Sequence, residues 1–194
     1  RILLSASAVG FYGDGGARVL TETSPAGDGF LADVVVRWEA ATEAAQAAET
    51  RVIHARTGLV LAPKGGLMGR LLPLFKLGLG GKLAGGRQYW PWISLADEVA
   101  AMVFLLEHEV SGAVNLTGPE PVSNAEFTRL AGHVLHRPTV AAVPAFALKV
   151  ALGPEMADQI ALISQRALPT VLQEQGFTFE HQDAESALRW VAGR

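Results

Sequence analysis

Two short apolar runs constrain this chain more than anything else in it. Ile2-Leu3-Leu4-Ser5-Ala6-Ser7-Ala8-Val9 is a nearly continuous apolar run of the kind that a strand buried on both faces produces. Val52-Ile53-His54-Ala55-Arg56-Thr57-Gly58-Leu59-Val60-Leu61 reads as a second strand, stopped by Ala62-Pro63-Lys64-Gly65-Gly66. Between them, from Phe30 to about Glu49, Leu31, Val34, Val35, Trp38, Ala41, Ala45 and Ala48 recur at intervals of three and four, the period of a helix. Its last turns are expected to expose Thr42, Glu43, Gln46 and Glu49. Strand, loop, helix and strand in this order form a βαβ crossover, which requires a parallel sheet. In such a sheet ligands are met just past the carboxyl ends of the strands. Ser5, Ser7 and the turn Gly10-Phe11-Tyr12-Gly13 therefore stand at a candidate site, although the same hydroxyls would also serve a plain strand-to-turn junction by bonding to backbone.

The rest of the chain surrounds this unit. Gly13 to Gly29 has the composition of a long surface loop. Leu67 to Leu77 is expected to form a helix kinked at Pro73 and closed by Gly78, Gly80 and Gly81. In the aromatic-rich stretch from Gly85 to Ser94, Pro91 forbids a central place in a sheet. A helix from Asp97 to Leu106 precedes a strand from Ser111 to Thr117 and a turn from Gly118 to Pro121. Asn124 is expected to cap the next helix, running to about His136, with Phe127, Leu130, Ala131 and Val134 as its buried stripe. Residues 145–152, 155 to about 175 and 182–191 read as a helical tail.

Composition narrows the partners. A chain of 194 residues, 49% of them hydrophobic, can bury one sizeable core. The net charge of -3 offers no basic field for nucleic acid and no polybasic membrane segment, so small-molecule or protein partners are favoured. The longest apolar runs, such as Val99 to Leu106, fall far short of the roughly 18 residues of a membrane span. The chain has no cysteine, which fits a reducing compartment, and the cytoplasm is expected. Its five histidines are dispersed without ligand spacing, so no metal site is expected. Arg1 leads directly into a strand without an initiator methionine, as in the later part of a longer chain.

Several segments together resemble an extended or atypical short-chain dehydrogenase/reductase of the NAD-dependent epimerase/dehydratase superfamily, and more narrowly its epimerase-like, sugar-nucleotide epimerase subfamily. They are Ser5-Ala6-Ser7-Ala8-Val9-Gly10-Phe11-Tyr12-Gly13, Arg37-Trp38-Glu39, Arg56-Thr57-Gly58-Leu59-Val60-Leu61, Gly86-Arg87-Gln88-Tyr89 with Trp92-Ile93-Ser94 and Asp97-Glu98-Val99, and Val114-Asn115-Leu116-Thr117 followed by Pro121-Val122-Ser123-Asn124. The resemblance implies an α/β fold, the C-terminal part of a Rossmann-like parallel sheet with a smaller, mostly helical substrate-side domain. Residues 1–62 would be the second half of the NAD(P)-binding domain and 63–194 the substrate-side region, with 92–117 returning to the sheet. The Gly-rich turn that cradles a pyrophosphate belongs to a first half absent here.

The same resemblance implies NAD or NADP as cofactor, with Ser5, Ala6 and Ser7 flanking the nicotinamide ribose, Thr57, Gly58, Leu59 and Val60 lining the ring, and Arg56 structural or beside the cofactor. Ser7 would hold the catalytic serine place. Arg87 would meet a substrate diphosphate, or else form a surface salt bridge. Tyr89, Trp90 and Trp92 would stack on a base or sugar, or else pack in the core.

One departure stands against these matches. Such enzymes carry a Tyr and a Lys four apart on the crossover helix, and here those positions hold Leu31 and Val35, or Phe30 and Val34 in the neighbouring register. The first lysine is Lys64, and the tyrosines are Tyr12 and Tyr89. Either Tyr12 takes over proton transfer with a different partner, or it packs and the chain binds a dinucleotide without the usual redox step. The readings are an NAD(P)-binding epimerase/dehydratase-like protein acting on a nucleotide-sugar or similar hydroxylated substrate, and a non-catalytic dinucleotide-binding or sensor module. A homo-oligomer stays open.

Overall fold

The computed structural model describes residues 1–139, 141–146 and 162–193, and it places the two apolar runs side by side. Strand β1 (Ile2–Ala8) ends in one turn of 3-10 helix (Val9–Tyr12), and the following loop carries a two-residue strand, β2 (Val19–Leu20). Helices α1 (Phe30–Ala40) and α2 (Glu43–Ala47) then lead to β3 (Arg51–Thr57). β1 and β3 are parallel, in register from Ile2 beside Arg51 to Ala8 beside Thr57, which completes the crossover. The single long helix expected between them is broken at Thr42. That side chain is buried instead of exposed, because its hydroxyl donates to the Glu39 carbonyl and meets His54 Nε2 at 2.8 Å.

Gly58 ends β3, and the chain continues as β4 (Leu59–Leu61), α3 (Gly66–Lys76), β5 (Gly81–Leu83), β6 (Tyr89–Trp90) and β7 (Trp92–Ser94). β7 runs parallel to β4, with Pro91 standing between β6 and β7. Helix α4 (Leu95–Glu107) starts ahead of Asp97, because the Ser94 hydroxyl accepts from the Asp97 amide at 3.0 Å and acts as its cap. β8 (Gly112–Leu116) then joins the main sheet on the far side of β3, giving the parallel order β1-β3-β8.

β9 (Val122–Ser123) pairs antiparallel with β6, and α5 (Asn124–Leu135) follows. Its cap is Ser123, not Asn124. Ser123 Oγ accepts from the Glu126 amide at 3.2 Å, while Asn124 Oδ1 accepts from the Leu83 amide at 2.7 Å and ties the helix to β5. β10 (Ala141–Val143) runs parallel to β5. Of the expected helical tail, 147–152 and 155–161 lie outside the described residues. Where the expected helix 155–175 is described, it is largely replaced: β11 (Arg166–Ala167) pairs with β2, and only α6 (Thr170–Glu174) is helical. The long-range ladder to β2 takes the backbone bonds a helix would have used. Helix α7 (Ala184–Ala192), capped by Asp183, completes the described chain.

Side chains sort by alternation along the strands. Ile53, Ala55, Val114 and Leu116 pack with Ile93, Ala101 and Leu105 on the α4 face of the sheet. Ser7, His54 and Arg56 point to the other face, toward Glu39 of α1. A second core gathers Met68, Phe75, Trp90, Trp92, Phe127 and Leu188 from α3, α5, α7 and the strands between. The architecture is a Rossmann-like parallel sheet with helices on both faces and a smaller, mostly helical layer beside it. α1 does not bury the whole stripe its periodicity suggested. Val35 is buried and Leu31 half-buried, whereas Val34 and Trp38 are exposed, and Ala32, outside that stripe, is buried.

Candidate active site at the strand tips

Gly58 shapes the site. A Cβ there would stand 2.0 Å from the Pro91 carbonyl oxygen, so only glycine lets β4 leave the tip of β3 and pair with β7 at that distance. The Leu59 amide then donates to the Pro91 carbonyl at 2.7 Å. The divergence opens a cleft of about 200 Å3 just past the carboxyl ends of β1 and β3. Ala8, Val9 and Gly10 line it where β1 passes into the 3-10 turn, Thr57 to Leu59 where β3 passes into β4, Tyr89 to Pro91 from the opposite wall, and Leu31, Ile163 and Gln165 complete the lining.

The residues singled out in the sequence divide into two groups. Thr57, Gly58, Leu59 and Tyr89 line the cleft. Ser7, Tyr12 and Arg56 are buried together on the α1 side of the sheet, beneath it. There Arg56 grips Glu39 with two bonds, Nε to Oε1 and Nη2 to Oε2, both 2.8 Å. Ser7 donates to Glu39 Oε1 at 2.6 Å. Arg56 Nη1 donates to the Tyr12 hydroxyl at 3.0 Å, and that hydroxyl donates to Asn115 Oδ1 at 2.7 Å. The guanidinium also lies 3.5 Å over the Phe11 ring. Ser5 and Ala6 lie below the tip, Ser5 bonded only to a neighbouring carbonyl. Val60 packs behind the cleft in the α4-side core. Arg87 is exposed, and Trp92, 1% exposed, sits in the helical core with its Nε1 donating to the Glu120 carbonyl.

The electrostatics of this network follow from burial and charge pairing. Burial alone would raise the Glu39 pKa, but the hydrogen bonds from Arg56 and Ser7, with the guanidinium charge, hold it below the usual carboxylate range. Burial would also lower that of Arg56, and the bond to Glu39 reverses this, so the pair stays charged. For Tyr12, burial outweighs the neighbouring guanidinium and pushes the phenol above its ordinary value. A cation does stand beside Tyr12, yet the hydroxyl is spent on Asn115 and keeps its proton. Leu31 occupies the cleft rim where the resemblance would place a tyrosine, and Val35 is buried behind it.

Sequence reasoning passed over Glu39, Asn115 and Gln165. Glu39 stands in the Arg37-Trp38-Glu39 segment, and a glutamate on the sheet-facing side of an apolar helix is its signal. Gln165, whose Nε2 donates to the carbonyls of Val9 and Gly13, carried none.

A family model described as a domain of unknown function (DUF1731) matches residues 143–191. An epimerase family protein of Mycobacterium leprae is 49% identical over 195 residues, which are 100% of this chain and 63% of that protein. A chloroplastic epimerase family protein of Arabidopsis thaliana is 36% identical, and the match covers 98% of this chain and 54% of that one. Among solved structures, the human epimerase family protein SDR39U1 (isoform2) with NADPH superposes with a TM-score of 0.91 at 30% identity, over 100% of this chain and 65% of that one. The UDP-glucose 4-epimerase of Thermus thermophilus in complex with NAD, at 18% identity, shares the fold with a TM-score of 0.74, over 99% of this chain and 63% of that one. The chain thus spans less than two thirds of the length of these relatives. Strand order and sequence likeness agree: over the span it covers, the chain is similar to the epimerase family proteins and shares their Rossmann-like fold.

Proposed function

We propose that the chain supplies the nicotinamide end of a dinucleotide site and that the whole protein acts on a nucleotide-sugar or a similar hydroxylated small molecule. The observation that carries this is the cleft at the tips of two neighbouring parallel strands, walled by Val9, Leu59 and Trp90. The residues fit a flat heteroaromatic ring with a polar substituent. The walls are apolar, and Trp90 Nε1 is a buried donor without a hydrogen-bond partner in a residue that lines the space. When bound, the nicotinamide supplies hydride transfer. The chain's own residues hold the ring and exclude water, while Glu39 and Arg56 fix the turn that closes the cleft from below. Tyr89 is the titratable side chain among the described cleft residues, and proton exchange with a substrate hydroxyl falls to it. Leu31 and Val35 favour a second reading, binding without turnover, because they put apolar side chains at the two positions of the crossover helix where the resemblance places the Tyr and Lys.

Titrating the full-length protein with NADPH and NADH should quench tryptophan fluorescence saturably, and Trp90→Phe should remove most of the change. No saturable change with either dinucleotide would sink the proposal. Hydride exchange across a panel of nucleotide-sugars, abolished by Tyr89→Phe, would support the enzyme; saturable binding with no exchange for any of them would favour the sensor.

Residues 1–62 are, in this proposal, the second half of the dinucleotide domain. Ile2 and Leu3 on the open edge of β1, and Leu95, Val99, Val103 and Leu106 along α4, are exposed and form the seat for the first half. Because these 194 residues contain no cysteine, Val99→Cys gives a single label site within them, and peptide mapping follows its labelling in the longer protein. Its reaction with a thiol reagent should be at least about tenfold slower in the full-length protein than in the 194-residue chain. Equal rates would remove this placement.

A further inference from the structure

A carboxyl stands one side chain behind the cleft. Glu98, in the first turn of α4, is 4% exposed, and its Oε1 accepts from the Thr57 hydroxyl at 2.7 Å. Thr57 lines the cleft. Glu98 Oε2 is buried with no hydrogen-bond partner. The alternation of β3 creates this arrangement: Ile53 and Ala55 fill the α4-side core, and Thr57 ends the same face at the tip. A carboxyl that is half unbonded in a dry site is a poor structural group, since its ionised form is costly there and an apolar residue would pack better. Burial raises its pKa to about 7 against the pull of the Thr57 bond, so it changes charge near neutrality.

No other charge competes for this position among the described residues. On α4 itself, Asp97 accepts from Ser94 and from the backbone amides of Glu180 and His181, and meets His181 Nδ1 at 3.1 Å. From β3, Arg51 reaches the carbonyls of Leu105 and Leu106 at the far end of the helix. His54 and Arg56 face Glu39 on the opposite side of the sheet. β1, β4 and β7 bring no titratable side chain.

We propose that Glu98 sets which redox form of the nicotinamide the cleft prefers: ionised, it favours the cationic oxidised ring over the neutral reduced one. This rests on the nicotinamide reading of the cleft given above. Opposite charges across a low-dielectric wall attract, whereas the reduced ring carries no charge to respond. By linkage, the oxidised ring promotes ionisation of Glu98 as strongly as that ionisation tightens its binding.

The test uses the full-length protein and both redox forms of whichever dinucleotide binds, so that contributions common to the two, such as a 2′-phosphate, cancel. The Kd of the oxidised form should fall about tenfold between about pH 6 and pH 8.5, while that of the reduced form changes less than about twofold. Glu98→Gln should bind both forms and lose the difference. Calorimetry of the unmodified protein in buffers of different ionisation heat should show proton release near pH 7 with the oxidised form alone, a readout that survives if the variant fails to fold. Equal pH slopes for the two forms, a slope retained in Glu98→Gln, or no proton release would overturn the inference while leaving the cleft reading standing. Absence of binding by either form at either pH would overturn the cleft reading, and the inference with it.

Discussion

Replacing Glu39 by alanine is expected to lower the stability of the fold by about 3–5 kcal/mol, the cost of leaving a buried guanidinium without its counter-charge. The side chains of Arg56 and Glu39 are 5% and 11% exposed, and their contact is bidentate, so water cannot replace the lost carboxylate. Ser7 loses its acceptor in the same step. Glu39→Gln should cost less, because it keeps an oxygen for one of these donors. Urea denaturation midpoints measure both, and a loss under about 1 kcal/mol for the alanine variant would show that the network is not a stabilising unit. The pH dependence has a definite sign. Since the folded-state pKa of Glu39 is depressed, its contribution is full above the ordinary carboxylate value and is lost as pH falls through the lowered one. The gap between the native protein and Glu39→Gln should therefore close on acidification.

The second large effect is expected at Gly58. Gly58→Ala places a methyl group 2.0 Å from the Pro91 carbonyl oxygen and 3.1 Å from Thr117 Cγ2. Neither backbone can retreat without breaking the bonds from the Leu59 amide to Pro91 and from the Gly58 amide to Leu116. A loss of about 3 kcal/mol or more is expected from this overpacking, and the β4–β7 ladder should shift far enough to weaken dinucleotide binding at least about tenfold. Gly69→Ala is the control. It lies inside α3, where an added methyl group would meet nothing within 4 Å, and should raise stability by about 0.5–1 kcal/mol. A Gly58→Ala protein that melts and binds like the native one would mean the strand divergence does not form the cleft.

The parallel crossover was legible because it rests on periodicity: apolar continuity at Ile2 and Val52 and the 3.6 period of Phe30 to Ala40 each point one way. The direction in which Ser7 points was not. A run apolar on both faces hides its own alternation, and only the packing of Leu4 with the α4-side core fixes Ser7 on the opposite face, beside Glu39. The cap of α5 was undecidable locally, since Ser123 and Asn124 are both competent; the Leu83 amide recruits Asn124 and leaves Ser123 to the helix. Arg166 and Ala167 read as helix because a two-residue strand has no period, and its partner, Val19 and Leu20, lies far away in the chain.

That short ladder between β11 and β2 has a wider meaning when taken with Gln165. By bridging the carbonyls of Val9 and Gly13, Gln165 staples the segment after Ile163 onto the exit of β1, so two segments about 150 residues apart build one chamber. A chain cut before Ile163 would therefore lose part of the chamber's lining along with its C-terminal segment.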